Sequence, residues 1–133
     1  MKDVSYGITK NLGKIDFDNA IERTTEALKT EGFGVLTEID VKATLKKKLD
    51  VDFRKYKILG ACNPPLAHKS LTAEPFVGLL LPCNVVVMED DDAAIIVSAV
   101  NPLEMFKVVE NDEMAATAQE VDGKLRRVMD SLG

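Results

Sequence analysis

Ile58-Leu59-Gly60-Ala61-Cys62-Asn63-Pro64-Pro65-Leu66-Ala67-His68 decides how this chain folds. Its first half continues an apolar run from Tyr56, of strand length and bounded by turn formers. Asn63-Pro64-Pro65 must end that strand. Proline has no amide hydrogen for a sheet ladder, and its fixed φ suits the first turn of a helix. A strand over 56–62 and a short helix or irregular turn over 64–73 are therefore expected. Gly78-Leu79-Leu80-Leu81-Pro82-Cys83-Asn84-Val85 answers this segment from within a second apolar run, 77–88. Together with 93–100 that run reads as a β-hairpin around Glu89-Asp90-Asp91-Asp92. Pro82 predicts an edge, a bulge or a break between two strands.

Working outward, Val4, Tyr6 and Ile8 alternate as a first strand over 4–9, and Asn11-Leu12-Gly13-Lys14 is a turn. Asp16 caps a helix whose Phe17, Ala20, Ile21, Thr24, Ala27 and Leu28 share one face, and Gly32 ends it in a left-handed conformation. A strand over 33–39 follows, with Val35, Thr37 and Ile39 on one side. Asp40 caps a short helix with Val41, Leu45 and Leu49 inward, and Lys46-Lys47-Lys48 near its negative pole. Asn101-Pro102 ends the sheet, and 103–108 forms a helical turn in which Met105 and Phe106 join a satellite of the core. Met114, Ala118, Val121, Leu125, Val128, Met129 and Leu132 make the apolar stripe of a final helix over 112–132. Gly123 inside that helix predicts close packing against a neighbour. The expected architecture is α+β: a single domain over 1–133, with a mostly antiparallel sheet and helices packed on one face. The other face must also be covered, which a second subunit could do.

Composition narrows the function classes. The 133 residues suffice for one domain with a proper core. Seventeen basic residues against 22 acidic give a net charge of −5, which opposes a broad nucleic-acid surface. Lys46-Lys47-Lys48 and Arg126-Arg127 read as solvated helix faces. No apolar run reaches the length of a membrane span, and the first seven residues lack the apolar core of a signal peptide. A cytoplasmic protein with its two cysteines as thiols is the expectation, with neither nucleic acid nor membrane as partner.

The chemistry concentrates in the opening segment and its answer, which hold both cysteines, the one histidine and three of the five prolines. Cys62, Asn63, His68, Cys83 and Asn84 are the candidate ligand-binding residues. Cys62, His68 and Cys83 offer soft ligands for a metal ion, with Glu74 as a fourth donor, although their spacing fits no common zinc module. Alternatively, Cys62 and Cys83 on neighbouring strands support thiol redox chemistry. Each asparagine can instead bond backbone where a strand ends. The acidic run Glu89–Asp92 lacks the spacing and the glycine of a calcium loop and reads as a solvated turn. Ser70 sits in no nucleophile elbow, and no glycine-rich phosphate loop is present. No cofactor follows from these residues.

The paired Cys-Asn segments carry a resemblance as well. Leu59-Gly60-Ala61-Cys62-Asn63-Pro64, Ala67, Leu71, Gly78-Leu79-Leu80-Leu81-Pro82-Cys83-Asn84-Val85 and Glu31-Gly32-Phe33-Gly34-Val35 resemble the DUF302 family of small prokaryotic proteins, whose fold is called TT1751-like. The resemblance spans nearly the whole chain. It implies a homodimeric α+β domain, selects Cys62, Asn63, Pro64, Pro82, Cys83 and Asn84, and implies no activity. Three readings stand at this point: a module binding a small ligand or metal around the Cys-Asn motifs, a thiol-dependent redox protein, and a protein-interaction subunit.

Overall fold

The hairpin forms the middle of a five-stranded sheet. In a computed structural model describing residues 3–133, β1 (Gly7–Asn11) is followed by α1 (Phe17–Thr30), β2 (Gly34–Asp40), α2 (Val41–Leu49), β3 (Tyr56–Cys62) and α3 (Pro64–Ala73). A 3-10 turn (Pro75–Leu80) leads to β4 (Cys83–Glu89), β5 (Ile95–Val100), α4 (Pro102–Met105), a second 3-10 turn (Phe106–Val108) and α5 (Asp112–Leu132). Met1 and Lys2, the start of the stretch read for a leader, lie outside the described residues.

The sheet order is β1-β5-β4-β3-β2, with every neighbouring pair antiparallel. Register aligns Leu59 with Val85 and Val85 with Ala99, while Ala61 pairs with Cys83 and Val87 with Val97. All of these side chains are buried on one face. Phe17, Ala20, Thr24 and Leu28 of α1 cover that face together with Val121, Leu125, Val128 and Met129 of α5. Each large side chain buried there contributes about 1.5–3 kcal/mol, so the two amphipathic helices and the sheet hold one another in place. The alternate residues Ile58, Val86, Met88, Ser98 and Val100 lie on the far face and are only half-buried.

Local chemistry sets the element ends. Asp16 Oδ2 accepts from the Asn19 amide at 2.9 Å and starts α1, and Gly32, at φ +84°, turns the chain out of it. Asp40 Oδ1 caps α2 through the Ala43 amide at 2.9 Å. Asp90 Oδ1 accepts from the Asp92 and Ala94 amides, each at 2.9 Å, and shapes the hairpin turn as a solvated loop.

Five expectations need correction. The strand expected over 4–9 runs instead over Gly7–Asn11, because the chain first turns at Val4, whose carbonyl accepts from the Gly7 amide at 3.3 Å. The alternation of Val35, Thr37 and Ile39 is broken by a bulge between Val35 and Thr37. Val35 pairs with Ala61 of the buried row, whereas Thr37 pairs with Gly60 of the far face. The helix α2 has no buried residue, and Leu49 is 66% exposed rather than inward. The run 77–88 is not one strand: residues up to Leu80 coil into a 3-10 turn, and pairing begins only after Pro82, at Cys83. Gly123 is not a point of close approach, since an added Cβ would make only an ordinary 3.5 Å contact with Arg127.

Candidate functional site

The site is built where β3 ends and β4 begins. Asn63 closes β3 and caps α3, with Pro64 and Pro65 in the first helical turn. Its Oδ1 accepts from the Leu66 amide at 3.4 Å, and its Nδ2 donates to the Glu31 carbonyl at 3.1 Å. Both ends of this buried amide are thus spent on backbone. Gly32 must stay small beneath it, because a Cβ there would stand 3.0 Å from Asn63 Nδ2. Nearby, Glu31 is paired with Arg127 of α5 at 2.9 Å, and that guanidinium draws its carboxyl below the usual range.

Between α3, the bulged start of β2 and the strand ends lies a cavity of about 310 Å³. Cys62, Asn63 and Cys83 all line it, beside Phe33, Leu66 and Phe106. Leu36 and Leu71 also line it while remaining 68% and 41% exposed, which places them at the mouth. Ser70 reaches the cavity, but its hydroxyl donates to the Leu66 carbonyl at 2.8 Å. Gly60 allows the wall to close: a Cβ there would overlap Thr37 Oγ1 and come within 2.8 Å of Pro82 Cγ.

The two thiols differ. Cys83 pairs with Ala61 and belongs to the buried row, whereas Cys62 is the last residue of β3 and lines the cavity from the strand's end. Burial, and then the charge of Cys62, push the Cys83 thiol up to about 11. A group so placed keeps its proton at neutral pH and is a poor nucleophile. Cys62 is half-buried and the more accessible of the two.

The rest of the expected constellation is dispersed. His68 is exposed and lines a separate polar depression with Lys69, Thr72, Asn111 and Glu113. One helical turn explains this: Leu66 and Ser70 face inward, and position 68 is carried to the flank. The proposed set of Cys62, His68, Cys83 and Glu74 therefore does not assemble. Among the described residues no three histidine, cysteine or acidic side chains gather to hold a metal ion. Asn84 is exposed on the far face of the sheet, opposite Gly60, and lines a groove there with Tyr6, Tyr56, Val86 and Met88. The two Cys-Asn pairs thus serve different places.

A family model described as "Domain of unknown function DUF302" matches residues 8–132. The chain belongs to the DUF302 family. A solved DUF302 protein, an uncharacterized conserved protein from Bacillus stearothermophilus, superposes with a TM-score of 0.88. It shares 27% identity, over 98% of this chain and 100% of the other. No curated protein matches.

For this DUF302 domain, reading the sequence missed Leu36, Thr37, Leu71 and Phe106 as pocket residues. Gly60 carried the one available signal, a glycine inside a strand, which often marks a close approach of another chain segment.

Proposed function

We propose that this DUF302 domain is a small-ligand binding module whose ligand occupies the cavity at Cys62 and Cys83. The observation that carries the reading is that both cysteine segments, far apart in sequence, line one cavity of about 310 Å³ beside the Asn63 cap. That volume lies at the lower end of the roughly 300–1,000 Å³ usual for small-molecule sites. The rigid surroundings favour a preformed site, because Asn63 and Ser70 are fixed by their own backbone bonds. Two free thiols suit a reducing compartment, and we place the protein in the cytoplasm.

Thiol redox chemistry has less support, since burial keeps the proton on Cys83. A metal-linked version has lost His68 as a donor. Titration of 15N-labelled protein with indole, cyclohexanol and 1-butanol tests the binding reading. Amide shifts gathered on Ala61, Ala67 and Leu81, and abolished in Ala67→Phe, support it. Shifts confined to other surfaces, or none at all, overturn it.

A homodimer through the far face of the sheet is a second reading, favoured by a separate observation. That face carries a groove of about 430 Å³ between half-buried Tyr56, Val86, Met88 and Val100, beside a 64% exposed Tyr6. Aromatic and methionine side chains are enriched in protein interfaces.

A further inference from the structure

We propose that the ligand of this cavity is a flexible hydrocarbon chain whose polar end stays outside. The inference rests on the small-ligand reading and names its chemistry. Among the described residues no charged side chain lines the cavity. The Asn63 amide and the Ser70 hydroxyl are occupied by backbone partners, which leaves the Thr37 hydroxyl to meet a polar group of a ligand. A ligand bringing ionised or multiply hydrogen-bonding groups inside would lose water and find almost nothing in exchange. What the walls offer is Phe33, Leu66, Leu81, Pro82 and Phe106, with two soft sulfurs.

The apolar surface also continues past the mouth. Leu71 stands at the rim, and Gly78 of the adjoining 3-10 turn approaches it closely enough that an added Cβ would lie 3.7 Å from Leu71 Cδ2. Around Gly78 the same turn presents Phe76 and Leu79, 78% and 84% exposed. Large apolar side chains exposed on a turn beside a cavity mouth favour a binding role for that surface. A compact ring would fill the cavity and leave this strip bare, whereas a chain covers both.

Calorimetric titration with 1-alkanols from hexanol to dodecanol, with indole as the compact comparison, tests the proposal. Each methylene buried should strengthen binding about fourfold, until the chain has covered cavity and strip. Leu71→Asp, at a partly exposed position and with its folding checked by circular dichroism, should weaken decanol at least tenfold. Phe76→Ala should weaken only the longer members of the series. A flat series alongside bound indole overturns the chain and leaves the small-ligand reading standing. Absence of both indole and alkanol binding, by heat and by amide shifts, overturns both.

Co-sedimentation with dioleoylphosphatidylcholine vesicles separates the two sources of such a chain. Vesicle binding abolished by Leu71→Asp supports the proposal with a lipid as source. Saturable decanol binding without vesicle binding supports it with a free amphiphile. Vesicle binding unchanged by that substitution, with no alkanol series, counts against it.

Discussion

Asn63 Nδ2 donates to the carbonyl of Glu31 at 3.1 Å, joining the end of α1 to the start of α3 across 32 residues of chain. This bond fixes the floor of the cavity, because the same side chain caps the helix that carries Leu66, Ala67, Ser70 and Leu71. Asn63→Ala removes the cap and strips the Glu31 carbonyl of its partner, at a cost of about 2 kcal/mol. Urea unfolding should show the loss as a lower midpoint at unchanged slope. Asn63→Asp keeps the cap acceptor, loses the donor, and should fall between the two. Equal stability of all three proteins would contradict the assigned role.

Gly60 sits beneath Thr37 and Pro82, where any side chain collides with both. Gly60→Ala should cost about 1–3 kcal/mol through overpacking. Thr37→Ala removes the nearest obstacle, so the double variant should recover part of that loss while the Pro82 contact keeps it below wild type. The coupling in a double-mutant cycle is the quantity to measure. Simple additivity would mean that the Thr37 hydroxyl does not stand over Gly60.

Much of this architecture was open to reading because single residues decided it. Asp16, Asp40 and Asn63 cap helices through side chains whose chemistry allows little else there, and Asn63-Pro64-Pro65 ended β3 where proline must. The periods of α1 and α5 left one face for each to bury. The site was less open. Cys62 and Cys83 meet at one cavity because β3 and β4 pair, a long-range fact that local pattern supports only through the hairpin. His68 and Asn84 went astray for a geometric reason: closeness in sequence to a cysteine says nothing about which side of a helix or strand a residue occupies. The bulge at Leu36 had no signal in its apolar surroundings, yet it brings Leu36 and Thr37 to the cavity wall.

Cys83 gives the protein an alkaline limit. Its thiol is raised from 9.0 to about 11 by burial and by Cys62, so between those values the folded state keeps a proton that the unfolded chain releases. The stabilisation is fully present below pH 9 and is lost as pH rises toward and through 11, by about 2–3 kcal/mol. Urea midpoints measured from pH 8 to 11 should fall in wild type and fall less in Cys83→Ala. Over the same range Cys62 should react first with a thiol reagent, because it is the more exposed. Matching pH profiles for the two proteins would remove Cys83 from this account.

The far face of the sheet tests the dimer. Its groove runs across β4 and β5, where Val86 pairs with Ser98 and both line it. A two-fold interface uses the same patch on both copies, so one substitution acts twice. Val86→Lys would bring two like charges into an apolar contact and should convert a wild-type dimer to monomer, with an unchanged far-ultraviolet spectrum. Gln119→Lys, on the exposed side of α5, adds the same charge to the helix layer and should leave the dimer intact. Sedimentation equilibrium at several protein concentrations reads all three. A monomeric wild type at micromolar concentration would sink the dimer reading, and dissociation by Gln119→Lys alone would move the interface to the helices.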